Sequence, residues 1–90
     1  MPSYLVEIYL ASSASGERQE REQQATSAAA TLTREGTHVR FGGSIHVPED
    51  EMCLFVFEAP SAPAVALVAA RAGLEALRIV EAVSGLPGED

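Results

Sequence analysis

Residues 37–61 read THVRFGGSIHVPEDEMCLFVFEAPS, and the organisation of the chain can be worked outward from them. Thr37–Val47 alternates, with Val39, Phe41, Ile45 and Val47 on one parity and His38, Arg40, Ser44 and His46 on the other, as a half-buried strand does. Gly42-Gly43 interrupts the alternation and predicts a bulge or bend, which leaves the parity beyond it open. Pro48-Glu49-Asp50-Glu51 has the composition of a turn. Met52–Glu58 is a second run of strand formers, so the two runs close as an antiparallel hairpin. Ala59-Pro60 ends that strand. Ser61 is placed to cap a following helix, in whose first turn Pro63 is tolerated.

Downstream, the spacing predicts a helix over residues 62–72, with Val65, Val68, Ala69 and Ala72 on one face and Gly73 as its terminator. Leu74–Leu77 is a short connection to a last strand, Arg78–Ser84. Upstream, residues 16–35 contain no proline and are rich in Glu, Gln, Arg and Ala, all good helix formers. Their apolar stripe, Ala25, Ala28, Ala29 and Leu32, lies in the second half, whereas GERQEREQQ (16–24) is polar all round and is expected to be solvated. Ser12, Ser13 and Ser15 are candidate caps, and Gly36 is a C-terminal glycine stop. Ser3–Leu10 is the first strand. The order is β-α-β-β-α-β. Right-handed crossovers put both helices on one face of a four-stranded antiparallel sheet ordered 4-1-3-2, the ferredoxin-like α+β class. Residues 1–84 form one domain in this reading, and 85–90 (GLPGED) a flexible tail.

A 90-residue chain makes a single small core, and here much of the 47% apolar content is alanine, with only 6% aromatic residues. Covering a sheet face with a second copy is one way such a domain gains stability. The formal charge of −7 disfavours nucleic acid and anionic membranes as partners. All basic residues are arginine, which with the alanine content fits a GC-rich bacterial coding bias. The single Cys53 excludes an intrachain disulfide. The opening MPSYLVEIYL lacks the basic start of a signal peptide, and no apolar run has the length of a membrane span, so a cytoplasmic location is expected.

The fold leaves one sheet face without helices, and strand parity assigns residues to it. Leu5, Glu7 and Tyr9 of the first strand, His38 and Arg40 of the second, and Met52, Leu54, Val56 and Glu58 of the third are expected there. The last strand fits either way, and Ile79, Glu81 and Val83 are taken as outward. Aliphatics mixed with carboxylates suit two such faces meeting in a homodimer of the dimeric α+β barrel kind, around a semi-polar cleft. Glu7, Tyr9, Arg40, Glu58 and Glu81 are the candidate cleft residues. Converging carboxylates would bind a proton, an arginine or a metal ion, and a solvated or arginine-paired cluster is the plainer reading. A metal would draw on Glu7, Glu81, His38 and His46, although the histidines share one strand and need a sharp bend at Gly42-Gly43 to act together. Cys53, set among Leu54, Phe55 and Phe57, reads as an inert core thiol. No catalytic triad, phosphate-cradling glycine loop or paired-cysteine zinc site is present.

Four stretches carry a family likeness: Tyr4-Leu5-Val6-Glu7-Ile8-Tyr9-Leu10, Val47-Pro48-Glu49-Asp50-Glu51, Cys53-Leu54-Phe55-Val56-Phe57-Glu58-Ala59-Pro60-Ser61, and Arg71-Ala72-Gly73-Leu74 with Arg78-Ile79-Val80-Glu81-Ala82-Val83. With these the chain resembles the small bacterial ferredoxin-like family whose named member is described as nickel-binding and nickel-responsive. The resemblance implies a ferredoxin-like subunit, a homodimer and a divalent metal such as nickel as cofactor. Three functions then stand side by side. One is a small-molecule or divalent-metal binding module with its site in the dimer cleft. The second is a non-catalytic interaction protein presenting the polar helix Gly16–Gln24. The third is a dimeric α+β barrel enzyme moving a proton with a glutamate or His38 as base.

Overall fold

The two α-helices of the described residues end in the same way, and those endings set the two crossovers. In the computed structural model, which describes residues 1–83, helix α1 (Glu17–Arg34) stops where Gly36 takes a φ of +106°. The amides of Gly36 and Thr37 then bond back to the carbonyls of Thr33 and Leu32. Helix α2 (Ala62–Arg71) stops at Gly73, φ +75°, with Gly73 and Leu74 bonding back to Ala70 and Ala69. This paired-bond, left-handed termination is open to glycine without steric penalty. Ser61 caps α2 as expected, its Oγ accepting from the Ala64 amide at 3.4 Å. None of Ser12, Ser13 and Ser15 caps α1. They fall in or beside a short 3₁₀ turn (Ser12–Ala14), and Gly16 is the capping residue, with no side-chain bond.

The strands are β1 (Ser3–Tyr9), β2 (Arg40–Val47), β3 (Met52–Glu58) and β4 (Arg78–Ala82). They form one sheet in the order β2-β3-β1-β4 with every neighbouring pair antiparallel. This is the expected ferredoxin-like α+β arrangement, with both helices on one face. The tail expected at 85–90, like Ser84, lies outside the described residues.

Burial follows the two periodicities. Ala25, Ala28, Ala29 and Leu32 of α1, and Ala64, Val65, Val68 and Ala69 of α2, are buried against Tyr4, Val6, Ile8, Cys53, Phe55 and Phe57 of the central strands. Small helix residues let both helices lie close to the sheet, and the area is supplied by the phenylalanines. Phe41 packs on Phe55 and Phe57 with ring centroids 5.8 and 5.4 Å away. Fully burying a side chain of this size contributes about 1.5–3 kcal/mol.

Two edges depart from the parity read in the sequence. In β2 the register shifts between Phe41 and Gly43, where Gly43 adopts a φ of +122°. This bulge exchanges the faces of the residues after it: Ser44 and His46 pair with Phe55 and Cys53 and join the helix side, whereas Ile45 and Val47 pair with Leu54 and Met52 and join the uncovered side. In β4, Ile79 pairs with Val6 and Glu81 with Tyr4, so both lie on the helix side. Arg78, Val80 and Ala82 take the uncovered face instead. The expected outward placement of Ile79 and Glu81 is therefore corrected. Ile79 is the larger of two neighbouring aliphatics, and it packs against the buried core.

Candidate functional site

Residues directly opposite each other in an antiparallel pair share a face, so the register writes out the uncovered side of the sheet row by row. Across β4, β1, β3 and β2 the first row is Ala82, Ser3, Glu58 and Arg40, and the second is Val80, Leu5, Val56 and Gly43. The third is Arg78, Glu7, Leu54 and Ile45, and the last, beyond the end of β4, is Tyr9, Met52 and Val47. The apolar side chains run diagonally from Val80 toward Val47. Charge is confined to the two corners off that diagonal.

Each corner is an ion pair joining a central strand to an edge strand. Arg40 Nε donates to Glu58 Oε1 at 2.7 Å, and Arg78 Nε lies 3.4 Å from Glu7 Oε2. The hydrogen bond from Arg40 holds the Glu58 carboxyl below the usual carboxylate range, and the same bond raises the Arg40 guanidinium above its ordinary value. Glu7 is the more enclosed carboxylate, its side chain 17% exposed against 32% for Glu58.

Of the expected cleft residues, Glu7, Tyr9, Arg40 and Glu58 do share this face, and Tyr9 is 60% exposed at its rim. Glu81 is on the opposite side of the sheet, beside Tyr4. Arg78, the partner of Glu7, was not among the expected residues, because its placement depends on the β4 parity. The set Glu7, Glu81, His38 and His46 is not brought together. Glu7 is engaged by Arg78, Glu81 lies on the other face, and His38 is itself exposed and precedes β2. His46 turns to the helix side, where Nε2 lies 3.4 Å from the Leu10 carbonyl oxygen. Among the described residues, no group of three or more His, Cys, Asp and Glu side chains is arranged to hold a metal ion. The expected metal set of Glu7, Glu81, His38 and His46 therefore does not converge within the described residues of one subunit.

The bulge creates a second polar group that the sequence pattern did not expose. Ser44 Oγ donates to the Glu22 carboxylate of α1, and His46 sits directly opposite Cys53. Cys53 is fully buried, and burial pushes its thiol pKa up, which keeps it protonated and unreactive. On the outer side of the helices, an open groove of about 990 Å³ runs between α1 and the end of α2 and includes Arg21 and Arg71. Arg71 is engaged by Glu35 at 3.1 Å and Arg21 lies 3.7 Å from Glu17, so the groove offers balanced rather than one-signed charge.

No helix of the described residues is long and apolar enough to cross a membrane. No family model and no curated protein matches the chain. Among solved structures, it is similar to the crystal structure of SCO4226 from Streptomyces coelicolor A3(2), with a TM-score of 0.71 and 22% sequence identity over 93% of this chain and 99% of that one, a likeness of ferredoxin-like fold.

Proposed function

We propose that the protein is a homodimeric small-molecule-binding module in which two uncovered sheet faces turn toward each other around a shared cleft. The observation that carries this reading is the diagonal of Val80, Leu5, Val56, Leu54 and Ile45, which no element of the described chain covers. A contiguous apolar patch bordered by polar residues is characteristic of an interaction surface. The corner pairs add a carboxylate acceptor and a guanidinium donor on either side of it. An organic ligand with an apolar body and one polar end fits such a lining. A divalent cation would have to displace arginine from Glu7 or Glu58 and find its remaining ligands in a second subunit.

Sedimentation and a fluorescent probe test the proposal. 8-Anilinonaphthalene-1-sulfonate has an apolar body and one anionic end. It should bind the native dimer saturably, and Val56→Glu should abolish that binding while the circular dichroism of the fold remains. Non-saturable binding, or binding untouched by the substitution, would overturn the cleft. Thermal melting with nickel, zinc and magnesium separates the metal alternative, because a ligand that binds only the folded form raises the melting temperature by mass action. The small-molecule reading expects no shift. A rise of several degrees abolished by Glu7→Gln would overturn it in favour of a metal site.

A further inference from the structure

The two ion pairs of the uncovered face lie at diagonally opposite corners, each off the apolar diagonal. From this geometry we infer that the two subunits meet about a twofold axis running along the apolar diagonal, so that each corner pair is completed by the other corner of the partner. The inference rests on the homodimer proposed above and adds its orientation and the residues that specify it.

Strands lie about 4.8 Å apart and successive same-face residues about 6.8 Å apart along a strand. A twofold axis in the plane between two facing sheets exchanges the positions on either side of it. When that axis follows the apolar diagonal, it passes between Leu5 and Val56, which then meet their own copies. On this idealised lattice, Arg40 falls within about 3 Å, in projection, of the partner's Glu7, and Glu58 equally close to the partner's Arg78. The contacts are isologous, each made twice, as a twofold requires. Leu54 falls over the partner's Gly43, a large side chain against a position without one. The strands of the two sheets cross steeply, toward the orthogonal class of sheet packing. Axes parallel or perpendicular to the strands bring each charged corner over Ser3 and Ala82 or over Leu54 and Ile45, leaving the charges without a partner across the interface. Each charge keeps its partner within the subunit in every arrangement, and the opposite-charge register across the interface selects this one.

Two single variants test it in combination. Glu7→Lys places a cation against the partner's Arg40, and Arg40→Glu places an anion against the partner's Glu7, so each homodimer is weakened twice. In a mixture, one end of the heterodimer regains an opposite-charge contact and the other keeps the original one. Native mass spectrometry of the mixture should show heterodimer exceeding its statistical share by about tenfold or more, the ratio corresponding to about 1.4 kcal/mol. Statistical mixing, or variants that self-associate as well as the wild type, would overturn the arrangement. If either variant fails to fold, the wild-type dimer still decides. Its dissociation constant should rise severalfold between about 0.05 and 0.5 M salt as screening lengths shrink, and a salt-independent constant would overturn the inference. A folded wild-type monomer at micromolar concentration instead removes the homodimer itself, a failure distinct from that of the orientation.

Discussion

The central and edge strands of this sheet obey different logics. In β1 and β3 one parity is fully or nearly buried, Tyr4, Val6 and Ile8 with Cys53, Phe55 and Phe57, and the other is only partly so. In β2 and β4 neither parity is buried throughout, and a single glycine or the choice between two aliphatics decides which way the strand faces. A strand's facing is strongly specified where the two parities differ widely in the area they would bury, and weakly where they do not. The charged corners sit on the boundary between these regimes: Glu7 and Glu58 come from central strands, Arg78 and Arg40 from edge strands. The carboxylates are placed by the core, and the arginines by the edges.

The largest effect that would test this contrast comes from the centre. Phe55→Ala should destabilise the protein by about 3–5 kcal/mol, the range for truncating a buried phenylalanine. Small domains have about 5–15 kcal/mol in all, so much of the folded population could be lost at physiological temperature. Ile79→Ala on the edge, where the side chain is only partly buried, should cost clearly less in the same urea titration. Equal losses would mean that β4 is as firmly held as the centre.

Next in size is a substitution on the other face of the same central strand. Val56→Glu leaves the helix-side core alone and places charge in the middle of the apolar diagonal. The expected outcome is a folded monomer by sedimentation velocity. Leu67→Glu, on an exposed position of α2, should leave assembly unchanged. A dimer that survives Val56→Glu would move the interface away from the uncovered face.

The same contrast explains how much was legible in the sequence. The element order, the glycine stops at Gly36 and Gly73, the Ser61 cap and the alanine stripe of α1 are local features, and each is found where the sequence places it. Glu7, Tyr9, Arg40 and Glu58 follow from the parities of β1, β3 and the first part of β2, and they share one face. Glu81 does not, because Ile79 and Val80 differ by one methylene group. That difference is worth about 0.8 kcal/mol of burial, too little to read a facing from composition, and the pairing of β4 with β1 makes the choice. With that choice Arg78 comes to Glu7 and Glu81 leaves it. The histidines illustrate the second limit. The Gly42-Gly43 pair announces a bulge but not its phase, and the phase determines that Ser44 and His46 face α1 while Ile45 and Val47 join the diagonal.

Gly43 is therefore a control point of intermediate size. Its φ of +122° lies in a region that side chains rarely adopt, although a Cβ there would meet no atom within 4 Å. Gly43→Ala should cost about 1–3 kcal/mol through backbone strain alone. At Gly42 a Cβ would reach Val56 Cγ1 at 3.4 Å, without a positive φ, and Gly42→Ala should change stability far less. Urea midpoints of the two variants check the order. The reverse order would mean that Gly42, not Gly43, fixes the phase of β2.

The smallest expected effect lies at the Arg40–Glu58 corner, and its sign follows from linkage. Arg40 lowers the Glu58 pKa in the folded protein relative to an ordinary glutamate, so on acidification the unfolded chain takes up this proton first. Wherever the unfolded state binds more protons, stability rises with pH. The contribution of Glu58 is accordingly complete above the ordinary glutamate value of about 4.3 and is lost as pH falls from there through the lower folded value. The pair is solvent-exposed, and pairs of this kind contribute little and are screened by salt. Melting temperatures of wild type and Glu58→Gln, followed from about pH 6 to pH 3 at low salt, spanning that value, should start apart with the wild type slightly higher and converge in acid. A gap that persists in acid would assign the effect of Glu58 to side-chain packing against Arg40 and Ser3. A gap that closes in acid but is unaffected by salt would place the pair in a more enclosed setting than a single subunit provides, as a dimer with these faces together would.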